Sequence, residues 1–165
     1  MKFLTLLIGQ RPYGLPIGLI REIIEDAHVT PVEKAAADVI GLMNVRGQIV
    51  TVLYPGAHFD AQLNQKHPDC RVIILKRNDD LSDAQKILGG QNGTATDLYA
   101  FFVEGIEEVF DISMENISKM PSNALEAESH FLMGIARQEG RIIPILHVNR
   151  LILPVSNNEA DSKHA

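Results

Sequence analysis

The feature that most constrains this chain is an internal repeat. Without gaps, residues 41–53 align on residues 134–146, GLMNVRGQIVTVL on GIARQEGRIIPIL, at an offset of 93. Upstream of each copy, residues 13–25 align on residues 99–111 at an offset of 86. Two segments that recur in the same order indicate a duplicated structural unit. The alternative is a chance similarity between two apolar hairpins.

Each copy contains a glycine between two apolar runs, Gly47 in the first and Gly140 in the second. A tight reversal at that point favours a residue that tolerates positive φ, so we expect a β-hairpin in each copy. Hairpins this short are not stable alone in water and must join further strands. About five short strands per half would close into a small barrel that leaves no sheet edge exposed.

The other apolar segments are short and rich in β-branched residues, which is typical of strands. The predicted strands are 3–8, 13–17, 39–45, 48–53, 70–75, 98–103, 131–136 and 141–146. Helical signals are few: one turn around 18–24, a short helix over 82–88 with Ser82 as its N-cap and Gly89 just past its end, and a brief helix at 148–151. The sequence therefore predicts an all-β fold with few short helices.

Both copies fit within a single domain of residues 1–154, with the duplicated units at about 13–53 and 99–146. Residues 78–97 are polar and contain a cluster of glycines, so we expect a long connection between two strands. The mostly polar residues 155–165 are expected to form a flexible C-terminal tail.

Composition argues against two classes of partner. The formal net charge is −6 and no run of basic residues exceeds two, whereas nucleic acid binding needs a basic face. The apolar run at 3–8 is too short for a signal sequence or for the roughly 20 residues of a membrane span, so direct membrane insertion is not expected. Cys70 is the single cysteine, which excludes a disulfide within the chain and fits a reducing compartment.

The best candidate for catalysis is Cys70, with His67 and His58 upstream, because a thiolate nucleophile needs an imidazole within hydrogen-bond reach. Cys70 opens an apolar strand, however, and packing as a small hydrophobe accounts for it better. The same three residues lack the paired spacing of a metal site, and no phosphate-binding glycine motif is present. We therefore expect no enzyme activity, no metal and no cofactor.

Three separated segments, residues 13–24 (YGLPIGLIREII), 41–53 and 134–146, resemble the CheW family and occur in the family's order. The resemblance extends to about Pro154. It implies two intertwined SH3-like five-stranded β-barrels around a shared apolar core. It also implies a cytoplasmic adaptor that couples methyl-accepting chemoreceptors to the regulatory domain of a CheA-type histidine kinase, and that joins membrane receptor arrays only through these partners.

The resemblance also implies two sets of binding residues. The kinase-binding set is Gly41, Asn44, Val45, Arg46 and Gly47, and the receptor-binding set is Ile17, Ile20, Glu22 and Val72. Arg46 can offer a planar group of donors to a carboxylate or carbonyl, and a helical receptor tip needs an apolar trough with a charged rim. Without the resemblance, Arg46 is a solvated turn residue and the three aliphatic residues are core.

The chain departs from the family pattern in four places. Residues 54–56 are Tyr-Pro-Gly where the family usually has Asp-Leu-Arg, and His147 stands where a second acidic residue is common. Glu104 replaces the usual aspartate, and the 78–97 connection is longer than usual. These differences leave open an alternative role in a divergent sensory scaffold, for example one associated with a pilus, in which other partners are selected.

Overall fold

The computed structural model describes residues 1–88 and 97–152. Within these ranges the chain forms two five-stranded sheets and a few short helices, which confirms the predicted all-β fold class. Part of the 78–97 connection, the helix end predicted at Gly89 and the predicted tail at 155–165 lie outside the described residues.

Short strands account for most of the regular structure. They are β1 (Lys2–Ile8), β2 (Arg11–Pro16), β3 (Ile20–Ile24), β4 (Val39–Val45), β5 (Gln48–Leu53), β6 (Arg71–Leu75), β7 (Tyr99–Val103), β8 (Gly105–Asp111), β9 (Leu132–Gln138) and β10 (Arg141–Leu146). The α-helices are α1 (Asp83–Leu88), α2 (Glu126–Ser129) and α3 (Val148–Ile152), and single 3₁₀ turns occur at Ile17–Leu19, Pro55–His58, Asn78–Asp80 and Met114–Asn116. The predicted helices at 82–88 and 148–151 are confirmed as α1 and α3.

Each repeat contributes strands to both sheets. The first sheet has the order β8-β1-β2-β10-β9 and the second has the order β3-β6-β7-β5-β4. The first repeat leaves β2 in the first sheet and places β3, β4 and β5 in the second, whereas the second repeat leaves β7 in the second sheet and places β8, β9 and β10 in the first. Parallel pairing joins the exchanged strands at equivalent places, β2 with β10 and β7 with β5. The two halves are therefore intertwined, as predicted.

Backbone hydrogen bonds beyond the outer strands close each sheet towards a barrel. Downstream of β3, the Thr30 N–H donates to the Leu42 carbonyl at 2.7 Å and the Leu42 N–H donates back at 2.9 Å. Downstream of β8, Ser118 and Ile135 exchange the same pair of bonds at 2.9 and 2.8 Å. The continuation of one edge strand thus covers the opposite edge, β4 or β9, in both halves.

The glycine that begins each repeated motif is required by this closure. A Cβ at Gly41 would lie 2.1 Å from the carbonyl oxygen of Thr30, and one at Gly134 would lie 2.5 Å from that of Ser118. Both contacts are with backbone, which cannot swing aside as a side chain can. The two matching glycines therefore mark the points where the barrels close.

The two predicted hairpins are confirmed as β4–β5 and β9–β10. Their two-residue turns have positive φ at both central positions, 50° at Arg46 and 83° at Gly47, and 51° at Glu139 and 78° at Gly140. Paired positive φ values match the twist of the flanking strands, as in a type I′ turn. The offset of 93 therefore superimposes two hairpins of the same geometry.

Two strands differ from the sequence prediction. The segment 18–24, predicted to be a helical turn, is a short 3₁₀ turn followed by strand β3, and β8 was not predicted. Both strands carry adjacent charged residues, Arg21-Glu22 and Glu107-Glu108, and outward-facing aliphatics, so the alternation of apolar and polar residues is lost. Long-range pairing of β3 with β6 and of β8 with β1 decides their conformation instead.

One large apolar cluster joins the two sheets. From the first sheet it includes Leu6, Ile8, Tyr13 and Leu15, and from the second Val50, Val52, Ile73 and Phe101. A smaller cluster within the first sheet contains Phe3, Phe110, Ala136, Ile143 and Ile145. Because most of the buried residues belong to the joint cluster, neither barrel has a complete core by itself.

Candidate functional site

The β4–β5 hairpin holds Arg46 at its tip. The side-chain oxygen of Asn44 accepts the Gly47 N–H at 2.9 Å, which fixes the turn from within. Arg46 is 66% exposed, whereas Val45 is half-buried against the core and Gly41 is buried at the barrel closure. Of the five residues predicted to bind the kinase, Asn44, Arg46 and Gly47 are thus exposed, and Gly41 and Val45 shape the strand behind them.

Arg46 is paired with Glu22 on β3. Its Nη1 donates to Glu22 Oε2 at 3.3 Å, and its Nη2 donates to Oε1, so the two planar groups face each other with two bonds. The hydrogen bond from Arg46 lowers the pKa of the Glu22 carboxyl, and the carboxylate raises the pKa of Arg46. A residue predicted to bind the kinase and one predicted to bind the receptor are therefore in direct contact.

The predicted receptor-binding residues do not form one continuous patch. Ile17 and Ile20 are half-buried at the edge of the main core, and Val72 is only 1% exposed. Ile20 is paired with Leu75 at one end of the β3–β6 ladder, whereas Val72 is at the other end opposite Ile24. Ile17, Ile20 and Glu22 thus lie at the end of β3 that is nearer the Arg46 hairpin, and Val72 belongs to the core.

Exposed aliphatic side chains occur at equivalent positions of the two barrels. Ile49 is 61% exposed on β5 and Ile142 is 59% exposed on β10, related by the offset of 93. Ile23 on β3 and Val109 on β8 are also exposed and are related by the offset of 86. Large aliphatic residues that are left in water beside a turn suggest partner surfaces. The repeat is the sequence signal that could have identified these exposed aliphatic residues, because it pairs their positions in the two halves.

The two hairpins share a backbone but differ in charge. The repeat places Glu139 at the tip of β9–β10, where β4–β5 has Arg46. It places Glu108 on β8, where β3 has Glu22. A neighbouring pair of equivalent positions also differs. Arg141 on β10 donates to Glu107 on β8 at 3.0 Å, whereas in the other barrel Arg21 on β3 donates to Gln48 on β5 at 3.3 Å. The tips of the two hairpins therefore carry opposite charges, with an arginine on β4–β5 and a glutamate on β9–β10.

A buried carboxylate ties the two sheets together. Glu104, which joins β7 to β8, is 6% exposed and accepts the Gly9 N–H at 3.0 Å and the Tyr54 hydroxyl. Gly9 lies in the β1–β2 turn of the first sheet, and Tyr54 follows β5 of the second. Burial, followed by the Glu104 carboxylate, raises the pKa of Tyr54 well above its usual value.

The Tyr54-Pro55-Gly56 triplet is interior, although its departure from the family pattern suggested an altered partner surface. All three residues are buried, and a Cβ at Gly56 would lie 2.4–2.6 Å from atoms of the Tyr54 side chain. The glycine thus leaves room for the ring that reaches Glu104. In this chain the triplet therefore belongs to the contact between the two sheets and not to an exposed strand end.

The cysteine and histidines considered for catalysis do not assemble. The Cys70 thiol donates to the Asn64 carbonyl at 3.2 Å, and burial is the main cause that raises its pKa, which disfavours the thiolate. The Nδ1 atom of His67 accepts the Asp69 N–H at 3.1 Å. The Nε2 atom of His58 is instead 3.2 Å from Asp38 Oδ2, and its ring lies tilted against that of Phe131, with the ring centroids 4.1 Å apart. Residues 1–88 and 97–152 contain no cluster of three or more metal-ligating side chains.

No helix in the described part of the chain is long and apolar enough to span a membrane.

Comparison with known proteins agrees with the fold. Residues 2–153 match the model of the CheW-like domain. The chemotaxis protein CheW of Helicobacter pylori is 23% identical over 152 residues, covering 92% of this chain and 81% of the relative. CheW of Rhizobium meliloti is 24% identical over 155 residues, covering 93% of this chain and 87% of the relative.

A solved structure has the same architecture. The crystal structure of the scaffolding protein TtCheW from Thermoanaerobacter tengcongensis superimposes with a TM-score of 0.73 at 22% identity, covering 91% of this chain and 86% of that one. This agreement supports the predicted pair of SH3-like barrels. Since the family model spans nearly the whole chain, this protein belongs to the CheW family, whose members are chemotaxis scaffold proteins and not enzymes.

Proposed function

We propose that this protein is a cytoplasmic adaptor that couples chemoreceptors to a CheA-type histidine kinase. The kinase regulatory domain binds the hairpin surface, which we define as Asn44, Arg46, Gly47 and Ile49. The cytoplasmic tip of a receptor binds the receptor-facing surface, which comprises Ile17, Ile20 and Glu22. The observation that supports this assignment most strongly is the contact between Arg46 and Glu22, because it joins one residue of each proposed surface on the same barrel.

The hairpin surface combines an apolar anchor with a cationic group. Ile49 follows the turn and is largely exposed, so burying it against a partner is favourable. The Arg46 guanidinium can donate to a carboxylate or backbone carbonyl in a planar arrangement that lysine cannot reproduce. The turn is held by the Asn44–Gly47 hydrogen bond, so less conformational entropy is lost on binding.

The receptor-facing surface fits the edge of a helical bundle. Ile17 and Ile20 are partly exposed at the rim of the core, and Glu22 adds a negative charge beside them. An amphipathic helix binds to such a surface through its apolar face, with a polar contact at the margin. A partner carboxylate that takes up Arg46 would leave Glu22 freer to contact the receptor, which links the two binding events thermodynamically.

The proposal is tested by titrating the purified chain with the regulatory domain of a CheA-type kinase. Arg46→Glu is expected to weaken binding by about tenfold or more, because it reverses the charge at the centre of the surface. Glu139→Arg is the matched control, since Glu139 occupies the same positive-φ turn position on the other barrel. Equal losses for both variants, or no binding by the unmodified chain, would overturn the assignment of this hairpin.

A further inference from the structure

Helix α1 packs on the 3₁₀ turn that carries Ile17. A Cβ at Gly18 would lie 3.1 Å from Leu88 Cδ1 and 3.6 Å from Gln85 Nε2, so these two side chains of α1 cover the turn. Leu88 and Ile17 are both half-buried against the same core cluster. The helix therefore occupies space beside the apolar end of the receptor-facing surface.

This helix is held by a small contact. It has six residues, none of them fully buried, and Ile87 on its outer side is 67% exposed. A helix this short is not stable without tertiary packing. Its first turn is capped reciprocally: the Gln85 N–H donates to Ser82 Oγ at 3.2 Å, and the Ser82 N–H donates to Gln85 Oε1 at 3.1 Å. The helix is thus a defined element: Leu88 and Gln85 hold it against the turn, and Leu81, buried in the core just before Ser82, holds its start.

The ends of the same connection also lie near the hairpin surface. Arg77 and Asp97 line a shallow depression of about 420 Å³ together with Gln48 and Ile49 of β5. The connection therefore begins and ends beside the proposed kinase surface, while its helix lies on the proposed receptor surface.

We propose that α1 is a built-in cap on the receptor-facing surface, which competes with a receptor helix for the Ile17–Leu19 turn. The cap rests on the proposed function, since the competitor is the receptor tip. A receptor helix must displace Leu88 and Gln85 before it packs closely on the turn at Gly18. The cap therefore selects among receptors. A receptor binds weakly if it makes no favourable contact with α1 or cannot displace it.

Two variants of the helix separate its anchoring side from its outer side. Leu88→Asp removes the contact with the turn, because a carboxylate is not tolerated against the core, whereas Ile87→Asp places the same charge on the exposed side. Each is compared with the parent chain for binding to a soluble receptor cytoplasmic fragment. The cap predicts that Leu88→Asp tightens binding at least about threefold and that Ile87→Asp changes it less than about twofold.

A second measurement reports the covering of the turn without a receptor. A thiol introduced by Ile17→Cys, in a Cys70→Ser background, is labelled with a maleimide in each helix variant. The cap predicts faster labelling in Leu88→Asp than in the parent and in Ile87→Asp. Unchanged labelling, or unchanged or weaker receptor binding by Leu88→Asp, overturns the cap. If Leu88→Asp is labelled faster than the parent but none of the three proteins binds the receptor fragment, the receptor-binding function is overturned, and the competition with it.

Discussion

Arg46 donates two hydrogen bonds to the carboxylate of Glu22, although family likeness assigns the two residues to different partner surfaces. The contact joins the tip of the β4–β5 hairpin to strand β3, which is separated from β5 by two strands, β6 and β7, in the order of the sheet. It is specific to one half of the molecule, because the repeat places two glutamates at the equivalent positions. The pair is therefore a contact that the first repeat makes and that the second repeat, with two glutamates at these positions, does not make.

Removal of the Glu22 charge is expected to affect both partners. Glu22→Gln frees the Arg46 guanidinium for a partner carboxylate, so kinase binding is expected to strengthen about threefold, whereas receptor binding weakens because the charged rim is lost. Ile49→Ser is expected to weaken kinase binding alone. Isothermal titration with each partner measures both effects. A Glu22→Gln protein that binds both partners as the parent does would show that the pair has no role in recognition.

Glycine substitutions separate steric closure from backbone strain. Gly41→Ala is expected to destabilise the fold by more than about 3 kcal/mol, because the new methyl group would meet the Thr30 carbonyl. Gly47→Ala is expected to cost about 1 kcal/mol, since its φ of 83° is unfavourable but nothing lies within 4 Å of the new group. Urea unfolding measures both. The barrel-closure explanation fails if Gly41→Ala costs no more than Gly47→Ala.

The tie between the sheets is tested at Tyr54. Tyr54→Phe deletes one of the two donors to the buried Glu104 carboxylate and is expected to lower the free energy of unfolding by about 1–3 kcal/mol. Tyr99→Phe is the control, because Tyr99 is half-exposed on β7. Equal stability of the two variants in urea would mean that water replaces the Tyr54 hydroxyl at no cost.

His147 gives the fold a sensitivity to acid. Burial, followed by the positive charge of Arg150, lowers the pKa of His147 from 6.5 to about 4, and its Nδ1 accepts the Arg150 N–H at 3.3 Å. A pKa depressed by folding means that the unfolded state binds the proton more tightly. The stabilisation by neutral His147 is therefore fully present above pH 6.5 and is lost as the pH falls towards about 4.

The measurement is the difference in unfolding free energy between the parent chain and His147→Gln, followed across this range. Carboxylates titrate in both proteins, so the difference isolates the histidine. It should shrink as the pH falls from 6.5 towards 4. A difference that stays constant with pH would contradict the depressed pKa.

Sequence patterns specified the hairpins well and the other strands less well. The bounds of β4, β5 and β10 agree with the prediction, because a two-residue turn with glycine at its second position fixes where each strand ends. β3 and β8 were missed because their charged and exposed aliphatic residues hide the strand period. Their conformation depends on pairing with β6 and β1, which are distant in the sequence.

The candidate site was predictable only in part. Arg46 was identified by family likeness and lies at the exposed turn, but its pairing with Glu22 depends on how β3 lies against the hairpin, which no local pattern reveals. The interior position of the Tyr54-Pro55-Gly56 triplet cannot be predicted from sequence alone, because sequence does not show that the tyrosine hydroxyl has a buried acceptor in Glu104. The packing of α1 on the Ile17–Leu19 turn is likewise a tertiary contact.

The coupling role is tested most directly by sedimentation of vesicles that contain a chemoreceptor. The kinase is mixed with the vesicles in the presence and absence of this chain, and the kinase in the pellet is measured. The adaptor predicts that kinase sediments only when the chain is added, that Arg46→Glu abolishes this effect, and that Glu139→Arg does not. Equal sedimentation of the kinase with and without the chain would contradict the account.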